Sequence, residues 1–223
     1  MPTISAIEKQ KRRKRADVYL DGAHAFSLRL DVIAGAGLAA GDELTEERRR
    51  QLEWEDQRLG AVEAALRLLA VGPRSERDLR DRLRRRGFWR PAVDAAVARM
   101  RELAYLDDAA YARFFVEARQ AATPRSRRAL TFELSRKGVD RELATEAVAE
   151  LSDADAAYEA ARRRLRTLRG LDRETFRRRL GTFLNSRGFA YGVARATIEK
   201  CWAEAGEGAS PAENAASVVR DSE

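Results

Sequence analysis

The sequence predicts a mainly α-helical protein: an elongated array of three tandem three-helix repeats with an N-terminal β-hairpin extension. Three observations lead there. Glycines 87, 138 and 188 stand 51 and 50 residues apart, each preceded by leucines four and eight positions back: Leu79 and Leu83, Leu130 and Leu134, Leu180 and Leu184. The intervening sequence is rich in Ala, Leu, Arg and Glu, all strong helix formers. Near the start, Asp21-Gly22 separates two short strand-like runs, the dipeptide favoured in a two-residue hairpin turn.

Each repeat reads as helix, turn, helix. Leucines four apart stack on one face, and the glycine four residues later suits a helix C′ position, which needs positive φ. Gly87, Gly138 and Gly188 are therefore structural. An apolar residue follows each one (Phe88, Val139, Phe189). Positions six, nine, ten and thirteen further on read Val93, Ala96, Val97, Met100, then Ala144, Ala147, Val148, Leu151, then Ala194, Thr197, Ile198, Cys201. A third helix precedes each pair, around 62–69, 111–118 and 156–165, the middle one opened by Asp107 or Asp108 as caps. Ser75 with Asp78, Thr123-Pro124, Asp140 and Asp172 mark helix starts, and Pro91 after Arg90 opens another.

The leader divides into a two-stranded ribbon over 3–27 and a short helix and turn over 30–44. Expected boundaries are 1–58 for the leader, 59–103, 104–151 and 152–203 for the repeats, and 204–223 for a disordered acidic tail. Repeats with so narrow an apolar stripe bury little alone, so stacking on neighbours and a monomeric state are expected.

Composition bounds function. Charged residues are 35% of the chain and the formal net charge is +7, which favours anionic partners. The excess is uneven. Residues 61–103 carry 11 basic and 6 acidic side chains and residues 152–202 carry 12 and 6, whereas 104–151 balance at 8 and 8. One cysteine, Cys201, excludes an internal disulfide and a cysteine-based zinc cluster. No apolar run approaches a membrane span, so a cytoplasmic location is expected. The single histidine, His24, and Cys201 fall at a strand face and a core position, no phosphate-binding glycine loop is present, and no enzyme or cofactor is expected.

The quoted segments resemble the RecX family of recombinase regulators. The likeness is carried by Ser75-Glu76-Arg77-Asp78-Leu79 with Leu83 and Gly87-Phe88. It continues in Arg101-Glu102-Leu103-Ala104-Tyr105-Leu106-Asp107-Asp108 with Tyr111. It ends in Pro124-Arg125-Ser126-Arg127-Arg128 with Leu130, Glu133-Leu134 and Lys137-Gly138-Val139. It covers about 61–202, and more loosely Tyr19 to Gly22 with Phe26. The resemblance implies a curved array of three-helix repeats that lies along the RecA–DNA filament, lowers its ATPase and strand-exchange activity and disfavours its growth, with no reaction of its own. Ala104 departs from the pattern, standing where a glycine is common.

Contact candidates come from the basic residues. Arg77, Arg128 and Arg178 each lie ten positions before a repeat glycine and about 160° from the first leucine at ~100° per residue, hence toward solvent. Arg84 and Arg85 extend this surface. Lys9, Lys11, Arg12, Arg13, Lys14 and Arg15 form a dense basic run suited to DNA phosphates or an acidic protein patch. Arg86, Lys137 and Arg187, directly before the glycines, are explained by the helix dipole. The alternative function is direct, non-specific DNA binding through the basic blocks. The neutral middle repeat and the lack of interleaved exposed aromatics weigh against it.

Overall fold

The computed structural model describes residues 1–207; of the tail expected over 204–223, residues 204–207 instead continue the last helix, and the rest lies outside the described residues. The chain divides into two compact units, Met1–Asp107 and Asp108–Glu223.

The first unit opens with strands β1 (Ile4–Lys9), β2 (Arg15–Leu20) and β3 (Ala23–Arg29), an antiparallel sheet in the order β1-β2-β3. The expected two-stranded ribbon is thus two of the three strands of a sheet. The hairpin β2–β3 turns at Asp21-Gly22, both with positive φ (48° and 84°), and Leu20 pairs with Ala23 across it. The added strand β1 pairs with β2, Ile7 with Val18 and Lys9 with Ala16, after a shift of register between Ile4 and Ala6. Its charged and polar residues hid it, although Ile4 is fully buried. Alternate residues Ala16, Val18, Phe26 and Leu28 turn inward, the period of two that a half-buried sheet requires.

Helix α1 (Leu30–Ala36) follows, ended by Gly37 at φ 64°. Helix α2 (Glu46–Ala70) is 25 residues long and begins at Thr45, whose side chain accepts from the Arg48 N–H. It runs without interruption through the expected boundary at 58 and 59. Its first half places Leu52 in the core beneath the sheet, with Val18, Leu28 and Leu44. Its second half places Ala61, Ala64, Ala65 and Leu68 in the core of the first repeat, with α3 (Glu76–Arg85) and α4 (Arg90–Glu102). Where Gly60 faces Phe88, a Cβ would meet the ring at 3.0 Å, so glycine here allows a close approach.

The second unit holds α5 (Asp108–Ala122), α6 (Arg127–Arg136) and α7 (Arg141–Ala147) as one core. A second core is formed by α8 (Asp153–Leu165), a 3₁₀ turn (Arg166–Leu168), α9 (Arg173–Ser186) and α10 (Tyr191–Glu207). The six repeat leucines are all fully buried.

Gly87, Gly138 and Gly188 take φ of 87°, 84° and 88°. Around each, two backbone bonds run back into the helix: Phe88 N–H to the Leu83 carbonyl, Val139 to Leu134 and Phe189 to Leu184, with the glycine N–H reaching Arg84, Ser135 and Asn185. This is the Schellman arrangement, and it places the apolar residue after each glycine on the buried leucine. Ala104 closes α4 in the same way at φ 56°, with Ala104 N–H to Arg101 and Tyr105 N–H to Met100, both 2.9 Å. The position where glycine is common is left-handed here too, filled by a residue that pays a steric penalty.

Four expected helix starts hold: Ser75, Asp140 and Asp172 accept backbone N–H groups as N-caps, and Pro91 stands in the first turn of α4. The start at Thr123-Pro124 does not. Thr123 N–H donates to the Arg119 carbonyl at 2.7 Å and finishes α5, while Ser126 caps α6 by accepting from Ala129. Ser126 wins because its hydroxyl makes a tertiary bond as well, donating to the Gly188 carbonyl at 2.8 Å.

Candidate functional site

The single cysteine and the single histidine each have a structural setting of their own. Cys201 is fully buried with Phe176 and Leu180, and burial pushes its thiol up to about 11. His24 lies on the sheet surface, edge-on to Tyr19 with ring centroids 5.6 Å apart and Nε2 3.5 Å from Asp17. Among the described residues no group of three His, Cys, Asp or Glu converges to hold a metal ion. No helix among them is long and apolar enough to cross a membrane.

Arg77, Arg128 and Arg178 are exposed, as their helical phase requires. No ion pair involves them among the described residues, whereas the basic residues around Arg77 are neutralised: Arg80 binds Glu76 at 2.9 Å, and Arg74, just ahead of α3, and Arg82 bind Asp78 at 3.0 and 2.8 Å. Most of the positive charge on α3 is thus spent internally, leaving Arg77 and Arg85 free of ion pairs; Arg84 is 3.7 Å from Asp81. Arg77 and Arg128 are the second residues of their helices. Arg178 stands a turn further in, because α9 begins earlier, at Arg173. Asp107 directly precedes α5 and Asp108 opens its first turn.

The basic run of the leader splits. Lys9 ends β1, and Lys11, Arg12, Arg13 and Lys14 are exposed on the turn before β2, with Arg12 at φ 63°. Arg15 instead turns inward. Its Nη2 donates to the Asp56 carboxylate at 3.0 Å and to the Ser27 carbonyl at 2.7 Å. Asp56, only 6% exposed, also accepts the Arg29 N–H at 2.7 Å. Arg15 is therefore a clasp between the sheet and α2, and its guanidinium is committed to that contact. A buried carboxylate must be paired to be tolerated.

The middle repeat presents a feature absent from the sequence reading. Phe132 is 63% exposed on α6, between Arg128 and Arg136 in one i, i+4, i+8 row. Lying two residues from both Leu130 and Leu134, it is forced to the opposite face, a signal present in the helical phase. Beside it a groove of about 470 Å³ is walled by Arg119, Arg125, Phe132, Glu133 and Arg136, where Glu133 sits 3.0 Å from both Arg119 and Arg125. Of the tryptophans, Trp54 and Trp202 pack against cores, Trp202 edge-on to Phe176 at 5.1 Å, while Trp89 is half-exposed ahead of α4.

The sequence patterns of four RecX domains match in chain order. These are the "Regulatory protein RecX N-terminal domain" over residues 2–45 and the first, second and third three-helix domains over 61–100, 107–148 and 152–198. The chain belongs to the RecX family. A regulatory protein RecX of Lactobacillus delbrueckii subsp. bulgaricus is 31% identical over 211 residues, spanning 93% of this chain and 78% of the relative. The RecX of Streptomyces lividans is 38% identical over 146 residues, 64% of this chain and 77% of the relative. A crystal structure of regulatory protein RecX superposes with a TM-score of 0.63 at 25% identity, covering 89% of this chain and 100% of that one. Within this RecX-family chain the matched domains coincide with the separate cores under the sheet, in the first repeat and in the second unit.

Proposed function

We propose that this chain is a non-enzymatic modulator that binds the RecA recombinase filament and lowers its ATP hydrolysis, strand exchange and growth, acting in the cytoplasm as a monomer. The observation that carries the reading is the recurrence, in a RecX-family chain, of an exposed arginine without an ion pair at one position of every repeat: Arg77, Arg128 and Arg178. A cation left unneutralised at one fixed position of each repeat suits a partner that is itself repetitive and acidic, and complementary charges set register and encounter rate. The domain boundaries at 103/104 and 151/152 follow the same repeat.

A second reading, direct non-specific binding of DNA, gains support from Phe132. An exposed aromatic between two arginines is the pairing of stacking and charge that single strands use.

The deciding experiment measures DNA-dependent ATP hydrolysis by RecA with rising amounts of the purified chain, beside a pull-down of RecA with and without DNA. Turnover falls, the chain alone hydrolyses no ATP, and RecA is retained without DNA. Unchanged turnover with the chain in excess over RecA sinks the reading, and retention only through DNA replaces it with the second one.

A further inference from the structure

Within the second unit, the two repeats meet along a seam that gathers positive charge. Ser126 N–H donates to the Arg187 carbonyl at 3.2 Å, which fixes Arg125, its neighbour in sequence, beside Arg187. Arg163 Nη1 donates to the carbonyls of Ala121 and Ala122 at 2.8 and 3.0 Å, binding the last turn of α8 to the end of α5 and carrying Arg164 in with it. The guanidiniums of Arg164 and Arg187 both lie over the ring of Phe183, 5.4 and 4.9 Å from its centroid.

The counter-charge at this seam is short. Glu133 pairs with Arg125, but it also serves Arg119. Glu159 is engaged by Arg163 at 3.1 Å and lies 3.9 Å from Arg162. No carboxylate pairs with Arg164 or Arg187 among the described residues. The C-terminal ends of α8 and α9 offset about half a charge each, which is less than the two guanidiniums placed there. Arg125 Nε is sealed from solvent and has no hydrogen-bond acceptor among the described residues. Burial, and then the charges of Arg125 and Arg164, push the Arg187 guanidinium below its ordinary value. All three signs point to a missing anion.

We infer that this seam is a binding site for a phosphate group, held by Arg125, Arg164 and Arg187. A carboxylate offers two oxygens, and the one at this seam, Glu133, is already shared as an ion-pair partner between Arg119 and Arg125. Three guanidinium forks suit a tetrahedral group with more acceptor oxygens. Phe183 serves as a platform for the cations, so the site holds the phosphate and reads no base. The inference does not depend on RecA binding, and its test contains no RecA.

The test follows the arginine Nε–H resonances of the isotopically labelled full chain while sodium phosphate is added, against sodium chloride at equal ionic strength. Phosphate shifts the resonances of Arg164 and Arg187 saturably and chloride does not. Arg187→Gln weakens phosphate binding by at least about fivefold, the scale of one charge-assisted contact. Arg164→Gln, on a different helix, gives the same answer should the first variant fail to fold, and Arg162→Gln leaves binding unchanged. A labelled oligothymidylate then separates the sources. Equal weakening by Arg187→Gln assigns the phosphate to a nucleic-acid backbone, and an unaffected oligomer assigns it to a small phosphate compound; either upholds the site. Identical shifts with chloride, undiminished phosphate binding in a folded Arg187→Gln or Arg164→Gln chain, or shifts with polyglutamate where phosphate gives none would each overturn it.

Discussion

The hydroxyl of Ser126 donates to the carbonyl of Gly188 at 2.8 Å, joining the cap of one repeat's helix to the terminating glycine of the next. A Cβ at Gly188 would stand 2.7 Å from Ser126 Oγ and 2.8 Å from Ala129 Cβ, whereas one at Gly87 would meet nothing within 4 Å. Both positions have positive φ. Gly87→Ala is expected to cost about 1–2 kcal/mol for the left-handed conformation alone. Gly188→Ala adds overpacking, about 1–3 kcal/mol more. Denaturant unfolding of both variants checks the difference, and equal losses would mean that the seam yields freely.

Ala104 provides the converse case. It holds a left-handed conformation, φ 56°, with its side chain exposed and no packing to lose. Ala104→Gly removes a steric cost of about 1–2 kcal/mol and gives back part of it, about 0.5–1 kcal/mol, as chain entropy in the unfolded state. A net gain of about 0.5–1 kcal/mol is expected, read as a higher denaturation midpoint with an unchanged slope. A lower midpoint would show that Ala104 contributes a contact of its own.

The clasp between Arg15 and Asp56 separates one basic residue of the leader from the rest. Asp56→Ala leaves the Arg29 N–H without its acceptor and the Arg15 guanidinium with the Ser27 carbonyl but no counter-charge, an expected loss of about 1–3 kcal/mol. Replacing Lys11, Arg12, Arg13 and Lys14 with Gln changes only exposed side chains and should stay within about 0.5 kcal/mol. If the two variants melt alike, Asp56 is solvated in solution and the clasp is open.

Arg77, Arg128 and Arg178 changed together to Gln keep helix propensity and remove three charges without ion pairs. Stability should move by less than about 0.5 kcal/mol, while inhibition of RecA weakens about tenfold, roughly 1.4 kcal/mol over three contacts. Arg74, Arg80 and Arg82, held by Asp78 and Glu76, are the matched control of three charges. Equal loss in both sets would reduce the effect to total charge. No loss in the first would make these arginines a solvated surface.

The helical repeat was legible because it is periodic: leucines at a fixed spacing and a glycine that must turn left-handed leave the same mark three times. Cap identity was less legible. Thr123-Pro124 and Ser126 are both plausible starts by local chemistry, and the choice was made by Gly188, 62 residues away. Strand β1 was missed because its alternation is blurred by Glu8 and Lys9, and because a short strand is defined by its partner. The solvent-facing arginines followed from helical phase. Arg15 did not, since a charge run says nothing about which member finds a buried acid across the fold. Phe132 could have been found from the same phase that placed Arg128, but an aromatic is read as core by habit.

Because α2 belongs both to the core under the sheet and to the core of the first repeat, neither can be excised without cutting a continuous ladder of backbone hydrogen bonds. A chain begun at residue 59 would start in mid-helix, with four bare N–H groups and no Thr45 to cap them. Amide exchange along α2 should accordingly reveal one opening event shared by the sheet and the first repeat. A ligand that tightens the leader would then slow exchange as far away as Leu68, so the leader is a thermodynamic partner of the first repeat rather than an appendage to it.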